Sequence, residues 1–290
     1  MPPKKKLGGA ALNELKTINL KQFDMSKIKR DKVVVLIGKR GTGKSCLTKD
    51  ILFNHKDIPV AVVVSGSERV NAFYSHMIPD LYIYDNYKEE IVESLLKRQV
   101  KAENNSWTEK NAILIFDDCL YDNAWVKDTK IREVFMNGRH YNLMFILTMQ
   151  YAMGIPPALR TNIDYVFIFR DNIHSNKRRL WEHYAGIFPT YEMFNEVFEE
   201  CTRDFGCLVI DNQSKSSNIE DVVFWYKAQF PLPEFKVGSF SYWKSQQEVE
   251  EQLANEHKKK ERERWLAESR KQYERKWIVN KDPEVVENSN

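Results

Sequence analysis

No run in this 290-residue chain approaches the roughly 18 consecutive apolar residues that a membrane-spanning helix requires. Its longest apolar stretches, such as Val33-Val34-Val35-Leu36-Ile37, have the length of a strand. The opening segment MPPKKKLGGAALNELK lacks the apolar stretch of a secretory signal, so no secretory route is expected. Cysteine is sparse and unpatterned. Cys46, Cys119, Cys201 and Cys207 show no Cys-x-x-Cys spacing, which excludes a zinc module or a disulfide framework and points to a reducing, intracellular setting. A large charge surplus is missing as well, since 44 Lys and Arg stand against 41 Asp and Glu. With 42% hydrophobic residues the chain can build a packed core, so extensive disorder is excluded. No repeat of solenoid period occurs.

What charge asymmetry there is lies in the order of the residues. Residues 1–32 hold nine Lys or Arg, among them Lys4, Lys5 and Lys6, against Glu14, Asp24 and Asp31. Residues 1–31 therefore read as a basic arm, either a contact for phosphate backbones or a solvated terminus. From about residue 32 to 230, short apolar runs alternate with helical patterns. Val33–Ile37, Val60–Val64, Leu81–Tyr84, Ala112–Phe116, Leu143–Thr148, Val166–Phe169 and Cys207–Ile210 read as strands, and Val222–Tyr226 adds an eighth. Lys44–Asn54, Lys88–Glu103, Lys130–Asn137, Asn176–Tyr184 and Tyr191–Thr202 read as helices. Such alternation predicts an α/β core with a mostly parallel sheet covered by helices. Residues 231–290 form a charged tail. From Trp243 to Trp277 there is no Gly or Pro, and the charge density predicts a long exposed helix without a sustained heptad.

The strongest chemical signal is Gly38-Lys39-Arg40-Gly41-Thr42-Gly43-Lys44-Ser45, which satisfies the phosphate-loop (Walker A) pattern. Glycines let the backbone amides close on phosphate oxygens, Lys44 neutralises the β- and γ-phosphates, and Ser45 offers an oxygen to Mg²⁺. A strand precedes the loop and a helix follows it, so the helix directs its positive end at the same anion. Ala112-Ile113-Leu114-Ile115-Phe116-Asp117-Asp118 has the form of the Walker B partner. Asp117 is the candidate metal ligand and Asp118 the candidate base for the attacking water. Both acids are also open to a helix N-cap role ahead of the segment from Cys119. Leu143–Thr148 leads to Gln150, either a sensor of the γ-phosphate or a loop glutamine. Arg139 and Arg160 compete to be a charge-stabilising arginine finger, with Arg170 a third choice; each is open to a structural salt bridge instead. His140 and His174 show no metal-ligand spacing.

Taken in order, the phosphate loop, the Asp117-Asp118 strand, Gly138-Arg139-His140, the strand into Gln150 and Leu159-Arg160-Thr161-Asn162-Ile163-Asp164 resemble one family. It is that of the genome-packaging ATPases of the large nucleocytoplasmic DNA viruses, within the FtsK/HerA superfamily of DNA translocases. The resemblance runs from about residue 30 to 230. It implies a RecA-like P-loop core that binds ATP and Mg²⁺, assembles into a homo-oligomeric ring and drives double-stranded DNA into a preformed capsid or portal-like vertex. It further implies a place in the virion and in the viral factory of the host cytoplasm. Carried onto this chain, Lys44, Asp118, Gln150 and a trans-acting Arg139 are catalytic, and Ser45 and Asp117 hold the metal. One departure stands out: many members of the superfamily carry Glu where this chain has Asp118. A replicative or repair helicase with the same core, and a nucleotide-gated adaptor without hydrolysis, remain the alternatives. A small-nucleotide kinase fits less well, because no Arg-rich lid segment is placed to cover an acceptor.

Overall fold

Runs of Val, Ile and Phe favour pleated backbone, and eight of them form one sheet in the computed structural model, which describes residues 17–118 and 124–274. The strands are β1 (Val33–Ile37), β2 (Val60–Ser65), β3 (Ile83–Tyr84), β4 (Ala112–Asp117), β5 (Leu143–Met149), β6 (Tyr165–Phe169), β7 (Gly206–Asp211) and β8 (Val223–Lys227). Their order across the sheet is β3-β2-β4-β5-β1-β6-β7-β8. Pairing is parallel from β3 through β6 and antiparallel for β6–β7 and β7–β8. The mostly parallel α/β sheet expected from the alternation of elements is therefore present.

Every residue of β1 and β5 is buried, because helices cover both faces of the sheet. Val35 and Ile37 join Leu114, Phe145 and the helical residues Ile91, Leu95, Ile131 and Val134 in one core cluster. The alternate residues Val34 and Leu36 point to the other face. The helix Lys44–Asn54 buries Leu47, Ile51 and Leu52. Phe116 meets Tyr87, Trp125 and Phe145 edge to face, which fixes β4 against its neighbours.

Two boundaries differ from the sequence expectation. Residues 17–31, assigned above to the basic arm, lie along the sheet. Gln22 forms a bridge to Trp225, and Phe23, 2% exposed, packs against Tyr165, Phe167, Phe224 and Tyr226. Phe23, Met25 and Ile28 are all buried and anchor the segment, which covers the edge strand β8. At the other end, residues 231–239, assigned to the tail, also belong to the core unit, which extends to Ser239. Val237 is buried there, and the amides of Val237, Gly238 and Ser239 donate to the carbonyls of Met77, Lys56 and Pro59. The second unit contains the expected long charged helix, Phe240–Glu274. Lys4, Lys5, Lys6, Cys119 and the residues after Glu274 lie outside the described residues. Among the described residues, no helix is long and apolar enough to cross a membrane.

Candidate functional site

At the carboxyl ends of the parallel strands the chain leaves β1 through residues 38–43 and enters the helix Lys44–Asn54. The strand before this loop is held on both sides, by β5 and by β6. Gly38 extends the ladder by donating to the Met149 carbonyl at 2.9 Å. A Cβ on Gly38 would lie 2.6 Å from Cβ of Phe169, so only glycine fits against β6. Gly43 has φ +107° at the first turn of the helix, a conformation that a side chain opposes. These two positions give the glycine pattern its physical content.

A cavity of about 720 Å³ opens above this loop. It is lined by Arg40, Gly41, Gly43, Lys44 and Ser45 of the loop, and by Asp117, Asp118 and Gln150 from the ends of β4 and β5. The remaining loop residues do not line it. Gly38 packs on Phe169, Lys39 forms an ion pair with Asp171 at 2.8 Å, and Thr42 donates to the Lys39 carbonyl at 2.8 Å. Those contacts hold the loop from behind while its other face meets the cavity. Lys44 donates from Nζ to the carbonyls of Gly38 and Lys39. Burial pulls its pKa below the ordinary lysine value, and the nearby Asp118 and Asp117 carboxylates oppose that shift.

The two acids stand side by side in different environments. Burial raises the pKa of Asp117, while a hydrogen bond from the Thr148 hydroxyl and the influence of the Tyr74 side chain oppose that shift. Asp118 has φ +54°, an uncommon conformation for a residue with a side chain. Its backbone N–H donates to Oγ1 of Thr148 at 3.1 Å, and the same hydroxyl donates to Oδ1 of Asp117. One threonine thus ties down both acids. The Gln150 amide donates to Oδ2 of Asp118, and the Arg40 guanidinium lies 4.0 Å from that oxygen.

Thr148 and Tyr74 were not singled out by the sequence analysis. Thr148 had a visible signal, the one hydroxyl in the apolar run of β5. Tyr74 had none: it reaches Asp117 because the Glu68 carboxylate accepts N–H bonds from Phe73, Tyr74 and Ser75 and folds that turn under the site. The three arginine candidates are not gathered at the cavity. Arg139 pairs with Asp164, Arg170 pairs with Glu199 at 3.5 Å, and Arg160 lies over the Tyr184 ring. Asp164 also accepts from the amide of Val33, the first residue of β1, at 2.8 Å. Arg139 therefore sits at the end of the sheet opposite the phosphate loop, and in its own chain it serves as counter-ion to a buried carboxylate.

With this geometry in place, the likeness to other proteins becomes decisive. Residues 20–179 match the Poxvirus A32 protein family. The chain belongs to that family. Among its relatives, protein L437 of Acanthamoeba polyphaga mimivirus is 39% identical over 231 residues, covering 75% of this chain and 81% of the relative. Protein 075L of Invertebrate iridescent virus 6 is 39% identical over 228 residues, covering 78% of this chain and 88% of the relative. The motif resemblance to viral proteins of this kind is thus borne out at the level of the family. Among solved structures, the genome packaging NTPase B204 of Sulfolobus turreted icosahedral virus 2, in complex with ATP-gammaS, superposes with a TM-score of 0.51 at 20% identity. The match covers 69% of this chain and 98% of that one. At that identity it shows a shared fold, that of a P-loop NTPase.

Proposed function

We propose that this A32-family chain is the ATPase of a viral genome-packaging motor, coupling hydrolysis to translocation of double-stranded DNA into a preformed capsid. The observation that carries the reading is the convergence of Lys44, Ser45, Asp117, Asp118 and Gln150 on one cavity. The name of the B204 relative in fold supports it.

In this mechanism the loop amides and Lys44 hold the β- and γ-phosphates. Ser45 and Asp117 present hard oxygen donors to the cavity, and among the described residues no cluster of three His, Cys, Asp or Glu side chains forms a metal site. That donor set suits Mg²⁺, which keeps several of its waters and shares phosphate oxygens. Bound by Ser45 and Asp117, the ion would offset negative charge on those phosphates. Asp118 accepts the proton of the attacking water, and the Gln150 amide orients its carboxylate. Gln150 is then a link between phosphate occupancy and the base. Arg40, beside Asp118, supplies positive charge from within the same chain. The ring assembly and a capsid or portal-like partner complete the proposal.

Measuring ATP hydrolysis with and without duplex DNA tests it. Hydrolysis stimulated by duplex supports the translocase. Binding without turnover points to an adaptor, and single-strand stimulation with unwinding points to a helicase.

A further inference from the structure

The turn before β7 places an aromatic ring at the mouth of the cavity. Phe205 is 68% exposed and is the one aromatic residue among the described residues that line it. A Cβ built on Gly43 would stand 3.7 Å from Cβ of Phe205, so the ring's backbone abuts the phosphate loop itself. What marks this ring is its place on the cavity, where a nucleotide brings a flat base that an aromatic side chain can stack on.

Strand order decides which part of the nucleotide that is. Asp117, Asp118 and Gln150 end β4 and β5, which lie on one side of β1. They mark the side on which the terminal phosphate is attacked. β7 lies two strands away on the other side of β1, and it runs antiparallel to β6. Its first residues therefore stand at the end where the parallel strands finish. A triphosphate in the loop with its γ end toward the acids directs its nucleoside toward β7 and the ring of Phe205.

The turn that carries the ring is held firmly in an uncommon shape. Asp204 (φ +49°) and Phe205 (φ +64°) both adopt the left-handed region, which a bulky residue like Phe rarely enters. Thr202 donates from its hydroxyl to the Phe198 carbonyl at 2.8 Å, closing the helix before the turn. A Cβ on Gly206 would lie 2.4 Å from the Cys201 carbonyl, so the turn's exit is packed against its entry. Such bracing keeps the ring in the open position at the cavity, where packing inward would relieve its exposure to water.

We propose that Phe205 is the platform on which the nucleobase stacks, an inference that rests on the nucleotide-binding reading above. Stacking reads a π-face with no requirement for a particular hydrogen-bond pattern. Phe205 therefore contributes affinity for the nucleoside and leaves base selection to other groups.

The test compares affinities for ATP and for inorganic tripolyphosphate, measured by calorimetry on the full chain. The ratio of the two isolates the nucleoside contribution. Phe205→Ala is expected to lower that ratio about tenfold, the size of one stacking contact, and Phe205→Tyr to preserve it. If Phe205→Ala is poorly folded, Phe205→Trp provides a second reading: ATP should change its fluorescence beyond the change seen in the wild-type chain, whose own seven tryptophans set the background, and tripolyphosphate should not. Wild-type chain that binds ATP, with a ratio unchanged in Phe205→Ala or no fluorescence change beyond that background in Phe205→Trp, overturns the platform. Loss of self-association in Phe205→Ala with an intact ratio also overturns it and makes the ring a subunit contact. Wild-type chain that binds neither ATP nor tripolyphosphate is a distinct result, one that removes the nucleotide reading and this inference with it.

Discussion

Arg139 forms an ion pair with Asp164, whose carboxylate is 1% exposed and also accepts from the amide of Val33 and the side chain of Gln213. The pair pins the start of β1 to the turn before β5, one strand length away from the phosphate loop. An arginine engaged in this way is a structural counter-ion in its own chain, and acting as a finger on a neighbour would require breaking the pair.

Arg139→Ala is therefore expected to destabilise the fold by roughly 1–3 kcal/mol, because Asp164 loses its strongest donor inside the protein. The guanidinium is half exposed and Lys32 stands 4.0 Å from the same carboxylate, which keeps the loss below that of a fully buried pair. Urea denaturation measures it. In mixtures of Arg139→Ala with Lys44→Ala subunits no rescue of ATP hydrolysis is expected; rescue would restore the trans-acting finger.

Lys44→Ala should abolish ATP binding, since the phosphates lose their nearest cation. Asp118→Asn should bind ATP and hydrolyse it at least a hundredfold more slowly, on the order of what a general base contributes. Comparing equilibrium binding with single-turnover hydrolysis separates the two. Equal loss of binding in both variants would make Asp118 part of the binding site and not the base.

The raised pKa of Asp117 gives hydrolysis an acid limit. Binding of a cation needs the carboxylate ionised, so activity should fall on acidification at a higher pH than an ordinary aspartate would impose. The side chains of Thr148 and Tyr74 both favour the ionised form, Thr148 by donating a hydrogen bond to it. Thr148→Val and Tyr74→Phe should each move the acid limb of the pH profile to still higher pH. A limb that stays in place in both variants would show that Asp117 does not control it.

Tyr226 on β8 donates to Oδ2 of Asp50 at 2.7 Å, and the amide of Gln229 donates to the same oxygen at 2.9 Å. Asp50 is fully buried on the helix that follows the phosphate loop. Tyr226→Phe should cost about 1–3 kcal/mol by leaving that carboxylate short of a donor. Thermal unfolding reads the loss, and a melting temperature equal to wild type would mean that solvent replaces the hydroxyl.

Much of this protein was legible in its sequence because the information was local. The phosphate loop is a single strand–turn–helix whose residue pattern is contiguous, although the contact that demands glycine at position 38 comes from Phe169 on β6. The strands were legible for the same reason: consecutive apolar residues such as Val33–Ile37 and Leu143–Thr148 can satisfy themselves only inside a covered sheet. Asp117, Asp118 and Gln150 could be named because each ends such a run. What only the tertiary structure decided is who meets whom across the sheet. Inserting β5 between β1 and β4 puts Thr148 between the two acids, and the turn around Glu68 carries Tyr74 beneath Asp117. β7, placed beyond β6, brings Phe205 to the mouth of the loop. The pairing of Arg139 was hidden for the same reason, since a helix-terminal arginine looks free until Asp164, 25 residues later, is folded beneath it. Phe23, Met25 and Ile28 show the converse near the N-terminus, where three buried apolar side chains outweigh a basic surrounding sequence. Periodicity reports whether a residue is buried, but strand order and register determine its partner, and those are set by the packing of the whole sheet.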